Sequence, residues 1–365
     1  MSRIRVLVVD DSVVIRKLVS DLLAEDPDIE VVGTAVNGRA GLQKIALLEP
    51  DLVTMDVEMP ELDGIETVRR LRASGSRVPV IMFSTLTERG AEATLDALAA
   101  GASDYVPKPA NVGSVGRSME QVREALIPRI KSLVPRRGAS TSAFVGQAPV
   151  SAPTPVPLRT PVVRPVGSYR LLVIGSSTGG PEALGTLLSA LPPLPVPVAV
   201  VQHMPPLFTK QFAARLDRQL DVEVTEAGTG QELRPGTVCI APGDFHLEVV
   251  GDGKRLVTRL TQDPPENFCR PAVDVLFRSA TGAVGGAVLG VVLTGMGSDG
   301  AKGSRNIVDH GGAVLAQDQA TSVVWGMPGA VATAGLAERV LPLRDLAPEI
   351  VRRLVSSSAG AAVAR

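Results

Sequence analysis

Residues 171–184 read LLVIGSSTGGPEAL, a strand, a glycine-rich turn and a helix start in direct succession. The unbroken apolar run from Leu171 to Ile174 has the composition of a parallel strand buried on both faces. Gly175-Ser176-Ser177-Thr178-Gly179-Gly180 makes the turn, and Pro181-Glu182-Ala183-Leu184 opens a helix with proline in its first turn. A G-x-S-x-G match in this setting presents Ser177 as an exposed nucleophile at a helix N-terminus. The same kind of turn can cradle a phosphate through backbone donors. No G-K-[ST] follows it, which weakens the nucleotide alternative.

A nucleophilic serine needs a base, and the chain has three histidines. His203 closes the apolar run Val196 to Val201 in Gln202-His203-Met204-Pro205, at the same sheet edge as Ser177. His246 begins an expected hairpin over 246–260 that turns at Gly251-Asp252-Gly253, and His310 lies in a polar helix end, so His203 is the expected base. The run Val288 to Thr294 empties into Gly295-Met296-Gly297-Ser298-Asp299-Gly300. Asp before Gly is commonly a turn residue, but Asp299 here is placed to orient the base, and backbone donors around Met296 to form part of an oxyanion hole. With Val238 to Ala241, these runs give a second, largely parallel sheet.

The first third of the chain has the same alternation. Ile4 to Val9, Glu30 to Ala35, Leu52 to Met55, Val78 to Phe83 and Asp104 to Val106 are expected strands separated by helices, an open parallel sheet covered on both faces. Polar residues collect at the strand ends: Asp10 and Asp11 after the first, Asp56 after the third, Ser84 and Thr85 after the fourth, Lys108 after the fifth. Ligands of such sheets bind there. Three converging carboxylates call for a hard cation such as Mg²⁺, which would also shield an incoming phosphoryl group. Aspartate can accept that group as an acyl phosphate.

Between these halves, from about Val134 to Ser168, Pro135, Pro149, Pro153, Pro155, Pro157, Pro161 and Pro165 are scattered among small residues, the composition of a semi-rigid or disordered tether. The expected organisation is a first domain over 1–125, a linker over 126–168, a second domain over 169–355 and a frayed tail over 356–365. Of 365 residues, 45% are hydrophobic and 21% charged, with a net charge of −1, so the chain lacks the broad basic surface of non-specific nucleic-acid binding. No helix-turn-helix or basic output segment argues for a DNA-binding regulator. Cys239 and Cys269 lack metal-ligand spacing and read as two ordinary thiols. Neither a signal peptide nor an apolar run of about 20 residues is present, which gives a cytoplasmic expectation and no membrane insertion.

Residues 4–125 resemble response-regulator receiver domains through Val9-Asp10-Asp11-Ser12, Met55-Asp56-Val57-Glu58-Met59-Pro60, Asp63-Gly64 and Tyr105-Val106-Pro107-Lys108-Pro109. The resemblance implies a flavodoxin-like doubly wound fold, Asp56 as phosphoacceptor, Asp10 and Asp11 as Mg²⁺ acids beside it, Ser84 and Tyr105 as switch residues and Lys108 as phosphate partner. Residues 169 to about 354 resemble the catalytic domain of the chemotaxis protein-glutamate methylesterases, the CheB family. The residues that carry this are the 174–180 turn, Gln202-His203-Met204, Arg270-Pro271-Ala272-Val273-Asp274-Val275-Leu276-Phe277, the 293–300 loop and Gly326-Met327-Pro328.

That resemblance implies a three-layer α/β domain with Ser177 as nucleophile, His203 as general base and acid, Asp299 as orienting carboxylate, and Thr178 and Met296 lining the site. It implies ester hydrolysis without a cofactor, methyl-accepting chemoreceptors as substrates, deamidation of receptor glutamines, and a chemotaxis sensor histidine kinase as phosphodonor. An unphosphorylated receiver is expected to cover the site and phosphorylation to open it. The competing readings are the same esterase in a non-chemotactic receptor pathway and a catalytically silent phosphate sink. Trp325 where Tyr is usual, Gly329 where a basic residue is common, and Phe268-Cys269 depart from the family pattern.

Overall fold

The computed structural model describes residues 3–85, 87–108, 115–134, 158–160, 165, 167–251 and 255–355. The chain divides into two compact units, Met1–Val156 and Pro157–Arg365. Most of the proline-rich segment, the hairpin turn over 252–254 and the tail over 356–365 lie outside the described residues.

The first unit holds β1 (Ile4–Val9), α1 (Val13–Ala24), β2 (Ile29–Ala35), α2 (Gly38–Leu48), β3 (Leu52–Asp56), α3 (Gly64–Ala73), β4 (Val80–Ser84), α4 (Glu88–Ala99), β5 (Asp104–Pro107) and α5 (Val115–Leu133). Its five strands are parallel in the order β2-β1-β3-β4-β5. β3 and β4 are buried at every position, as expected for central strands covered by helices on both faces. Local chemistry fixes the helix starts: Ser12 accepts from Ile15 N and Asp63 from Glu66 N, each satisfying an otherwise orphaned donor. α5 continues past residue 125, where the sequence ends the first domain, because Val122, Leu126 and Ile130 keep an apolar stripe that packs with Ile4, Val6 and Leu52.

The second unit holds β6 (Leu171–Ser176), α6 (Gly180–Ser189), β7 (Val198–Gln202), α7 (Pro206–Gln219), β8 (Glu223–Glu226), β9 (Thr237–Ile240), β10 (His246–Gly251), β11 (Leu256–Thr261), α8 (Val273–Val284), β12 (Val288–Val292), α9 (Ala301–Asp309), β13 (Ala313–Gln317), α10 (Met327–Thr333), β14 (Arg339–Leu341) and α11 (Leu343–Leu354). Seven parallel strands run in the order β14-β13-β12-β6-β7-β9-β8, and β10 pairs antiparallel with β11 as the expected hairpin. Three of the seven, β8, β13 and β14, go beyond the strands named from sequence. β8 carries two glutamates at the sheet edge and β14 has three residues, so neither gives an apolar run.

Strand order places the clefts. In the first sheet the chain leaves β1 for β2 on one side and β3 on the other; in the second, β7 lies on one side of β6 and β12 on the other. Helices feeding opposite faces leave a crevice at such a reversal, beyond the carboxyl ends of the strands. Asp10 and Asp56 flank the first crevice, and Ser177 and the 293–300 loop flank the second.

Gly64 tests how tightly the first crevice is built. A Cβ there would lie 2.1 Å from the Asp56 carbonyl oxygen. Gly64→Ala is expected to destabilise the receiver by about 1–3 kcal/mol through backbone displacement, read as a lower urea midpoint for its unfolding.

Candidate functional site

Ser177 leaves β6 half-buried, with its N–H donating to the Thr294 carbonyl (3.0 Å) and its own carbonyl accepting from Gly180 N (2.7 Å). Gly179 completes the turn at φ 75°, a left-handed conformation that costs glycine no Cβ clash. Gln202 locks the turn to the next strand: its Oε1 accepts from Ser176 Oγ (2.7 Å) and its Nε2 donates to the Ser177 carbonyl (2.9 Å). Gly295 must lack a side chain, because a Cβ would meet Met327 Sδ at 2.3 Å and Ser177 Cβ at 2.8 Å. Close approach of the β6 and β12 ends therefore puts the Gly295-Met296 backbone beside the serine. Met296 is half-exposed and Thr178 is buried, its carbonyl accepting from Thr294 Oγ1 (2.9 Å).

His203 follows β7 and its Nε2 lies 2.8 Å from Asp299 Oδ2. Asp299 is buried and held from several directions. Its Oδ2 also accepts from Val273 N (2.7 Å), and its Oδ1 accepts from Asp274 N (3.0 Å), Gly300 N (2.9 Å) and Asn267 Nδ2 (2.9 Å). Since α8 has no side-chain cap of its own, Asp299 supplies the acceptor for its first N–H groups. Asp274, from the first turn of α8, accepts in return from Gly303 N of α9 (2.6 Å). Two helix N-termini are thus capped crosswise, and the carboxylate facing His203 is fixed by both.

Burial acts to raise the Asp299 pKa, but its bonds to His203, Val273 and Asp274 outweigh burial and hold it below the ordinary carboxylate value. Burial acts to lower His203, yet Asp299 and Cys269 win and raise it to about 10. The pair is therefore poised to stabilise an imidazolium. Among the described residues no hydrogen bond joins the Ser177 hydroxyl to the imidazole; the bonded neighbour of Nδ1 is Cys269 Sγ at 3.5 Å.

Sequence reading missed Gln202 as a strut, Asn267 as a support of Asp299, Asp274 as the reciprocal cap, and Cys269 as a neighbour of His203. Gln202 and Asp274 stood inside quoted motifs, whereas Asn267 and Cys269 belong to a short turn closed by the Glu266–Cys269 bridge. Asn267 (φ 52°) and Phe268 (φ 62°) are both left-handed there, with the Phe268 side chain fully exposed. Asn267→Gly keeps a backbone that tolerates this conformation and removes the amide from Asp299 and Asp274. Loss of a bond to a carboxylate, about 1.5–3 kcal/mol, is expected to lower ester turnover roughly 10–100-fold, measured as kcat at saturating substrate. Trp325 and Gly329 form a matched pair, since a Cβ at 329 would lie 3.0 Å from the indole Cε3.

In the first unit the ligand oxygens of Asp10, Asp11 and Asp56 lie within 4.8 Å of one another. Lys108 Nζ is 2.9 Å from Asp10 Oδ2 and 2.8 Å from Asp56 Oδ2, offsetting one of the three charges. Burial, aided by Asp10 and Asp11 and opposed by Lys108, pushes the Asp56 carboxyl up to about 6. An all-oxygen cluster with excess negative charge fits Mg²⁺. Ser84 is buried at the end of β4 with its hydroxyl donating to the Gly90 carbonyl (3.0 Å), and Tyr105 in β5 is turned inward, where burial raises its pKa.

These features define a receiver joined to an α/β hydrolytic domain, and comparison with known proteins gives the family. Residues 6–117 match the response regulator receiver domain, and residues 172–350 match the CheB methylesterase. A Nocardioides sp. protein called protein-glutamate methylesterase/protein-glutamine glutaminase is 77% identical over 97% of this chain and 96% of its own. A Trichodesmium erythraeum protein of the same description is 48% identical over 97% of this chain and all of its own. The Thermotoga maritima CheB methylesterase catalytic domain, a crystal structure, is 43% identical, covering 50% of this chain and 98% of its own, with a TM-score of 0.49. The chain belongs to the CheB methylesterase family and carries that family's ester hydrolase domain behind a response-regulator receiver. No helix among the described residues is long and apolar enough to cross a membrane.

Proposed function

We propose that this protein is a phosphorylation-activated protein-glutamate methylesterase and protein-glutamine glutaminase that acts on chemoreceptors, in the cytoplasm, to give sensory adaptation in chemotaxis. The observation that carries the catalytic part is the His203–Asp299 pair at 2.8 Å in the crevice where Ser177 emerges. Ser177 Oγ attacks the side-chain carbonyl carbon of a glutamyl methyl ester. Because Asp299 holds Nε2, the proton passes to Nδ1 of His203. Donors around Thr178 and Met296 receive the oxyanion. Nδ1 returns the proton to the leaving methoxy oxygen, or to the leaving amide nitrogen of a glutamine, so that methanol or ammonia departs, and water attacks the acyl-enzyme by the same route.

In the receiver, Asp56 takes a phosphoryl group from the chemotaxis sensor histidine kinase, with Lys108 neutralising phosphate oxygens. Asp10, Asp11 and Asp56 would hold Mg²⁺, which would supply charge neutralisation for that transfer. Ser84 and Tyr105 serve as the switch pair, moving from their inward positions once phosphate is present.

The test is methanol release from radiomethylated receptor membranes, with and without a small-molecule phosphodonor and Mg²⁺. Wild type is expected to release methanol faster with the donor, and Asp56→Asn to keep its basal rate and ignore the donor. Absence of release from any receptor membrane sinks the receptor assignment. Equal stimulation of Asp56→Asn sinks the phosphoacceptor assignment.

A further inference from the structure

The two cysteines differ in setting. Cys239 is buried in β9, whereas Cys269 is half-buried beside the imidazole of His203, with Sγ 3.5 Å from Nδ1. Nε2 is committed to Asp299, so Nδ1 is the nitrogen left to take a proton or a Lewis acid. A zinc-class cation binds thiolate at about 2.3 Å and imidazole at about 2.0–2.1 Å. At a tetrahedral angle these bond lengths separate the two donor atoms by about 3.6 Å, so the pair, at 3.5 Å, already has the spacing of one edge of such a site. A thiolate–imidazole pair selects borderline cations over Mg²⁺. The carboxylate behind the imidazole is the usual support for a metal-bound histidine, since it fixes the tautomer and raises the basicity of the ligating nitrogen. Asp299 is itself anchored by Val273, Asp274, Gly300 and Asn267, so the ring is held in the ligating orientation before an ion arrives. His203, Cys269 and Asp299 together bring nitrogen, sulfur and oxygen donors within 4.8 Å of one another.

We infer that Cys269 Sγ and His203 Nδ1 form a binding site for a borderline divalent cation of the Zn²⁺ class, backed by Asp299, and that its occupation switches off the hydrolase. Binding exchanges the Cys269 thiol proton for a sulfur–metal bond and leaves the other coordination positions to water. The inhibitory half of this inference rests on the reading of His203 as the base: a nitrogen bonded to a metal cannot accept the Ser177 proton.

Full-length protein titrated with Co²⁺ reads the site without activity. A near-ultraviolet thiolate-to-cobalt charge-transfer band should saturate at one ion per chain, vanish in Cys269→Ala, and require roughly 10–100-fold more Co²⁺ in Asp299→Asn. Oxygen-only binding in the receiver gives no such band. In parallel, methanol release in buffered Zn²⁺ should fall and return on chelation, and Cys269→Ala, scaled to its own metal-free rate, should need roughly tenfold more Zn²⁺ or above. Absence of the band, or its persistence in Cys269→Ala, overturns the site. A cysteine-dependent band with undiminished hydrolysis in Zn²⁺ overturns the inhibition and, with it, His203 as the base, while the site stands.

Discussion

Ser177→Ala is expected to abolish methanol release, a fall of about 10⁶-fold, with no change in fold. Only the hydroxyl group is removed. The bonds that build the turn run through the backbone of Ser177 and the side chain of Gln202, and all of them survive the substitution. Because the side chain is only half-buried, stability should move by no more than about 0.5 kcal/mol. Turnover and thermal midpoint measured on the same preparation therefore separate chemistry from folding. A serine-directed phosphonylating reagent should modify wild type at Ser177 and leave the variant unlabelled. Residual hydrolysis above about 1% of wild type would transfer the nucleophile role to water activated by His203.

Asp299→Asn is expected to lower kcat by about 10⁴-fold through the wrong imidazole tautomer. Unlike the serine variant it should also cost stability, about 1–3 kcal/mol, because one amide must replace a carboxylate that accepts from His203, Asn267 and the first N–H groups of α8. The pH profile carries a separate signature. With His203 raised to about 10, the neutral base becomes more abundant as pH climbs, so wild-type kcat/KM should increase from neutral toward about 10. Removing the Asp299 charge takes away the main support for the cation, and the inflection should move toward neutral pH. The stability linkage has definite signs. His203, raised in the fold, stabilises fully below its unfolded value of about 6.5 and loses that contribution as pH rises through about 10. Asp299, lowered in the fold, stabilises above the ordinary aspartate value and loses its contribution as pH falls. A variant with lower kcat but an unmoved inflection would reduce Asp299 to a helix cap.

The amino-acid sequence determined the two parallel sheets because their central strands are buried on both faces and so must be continuously apolar. Leu171 to Ile174 and Leu52 to Met55 announce themselves, and every position of the strands they form is buried. The acids and the serine were legible for a related reason, since a polar residue breaking an apolar strand at its carboxyl end has few structural uses. Ala313 to Gln317 is buried throughout but built mostly of small or polar residues, and its place beside β12 emerges from packing rather than from its own hydrophobicity.

Strand order was likewise a tertiary decision. Nothing local to 171–176 says that β7 lies on one side and β12 on the other, yet that reversal creates the crevice that brings His203 and Asp299 together. Asn267 and Cys269 show the limit most clearly. They are separated from His203 by more than sixty positions, and their meaning lies wholly in a turn that leans on the imidazole and its carboxylate. Side-chain identity along the chain records burial and local geometry. Which side chains meet across it is set only when helices α8 and α9 cap one another and close the site.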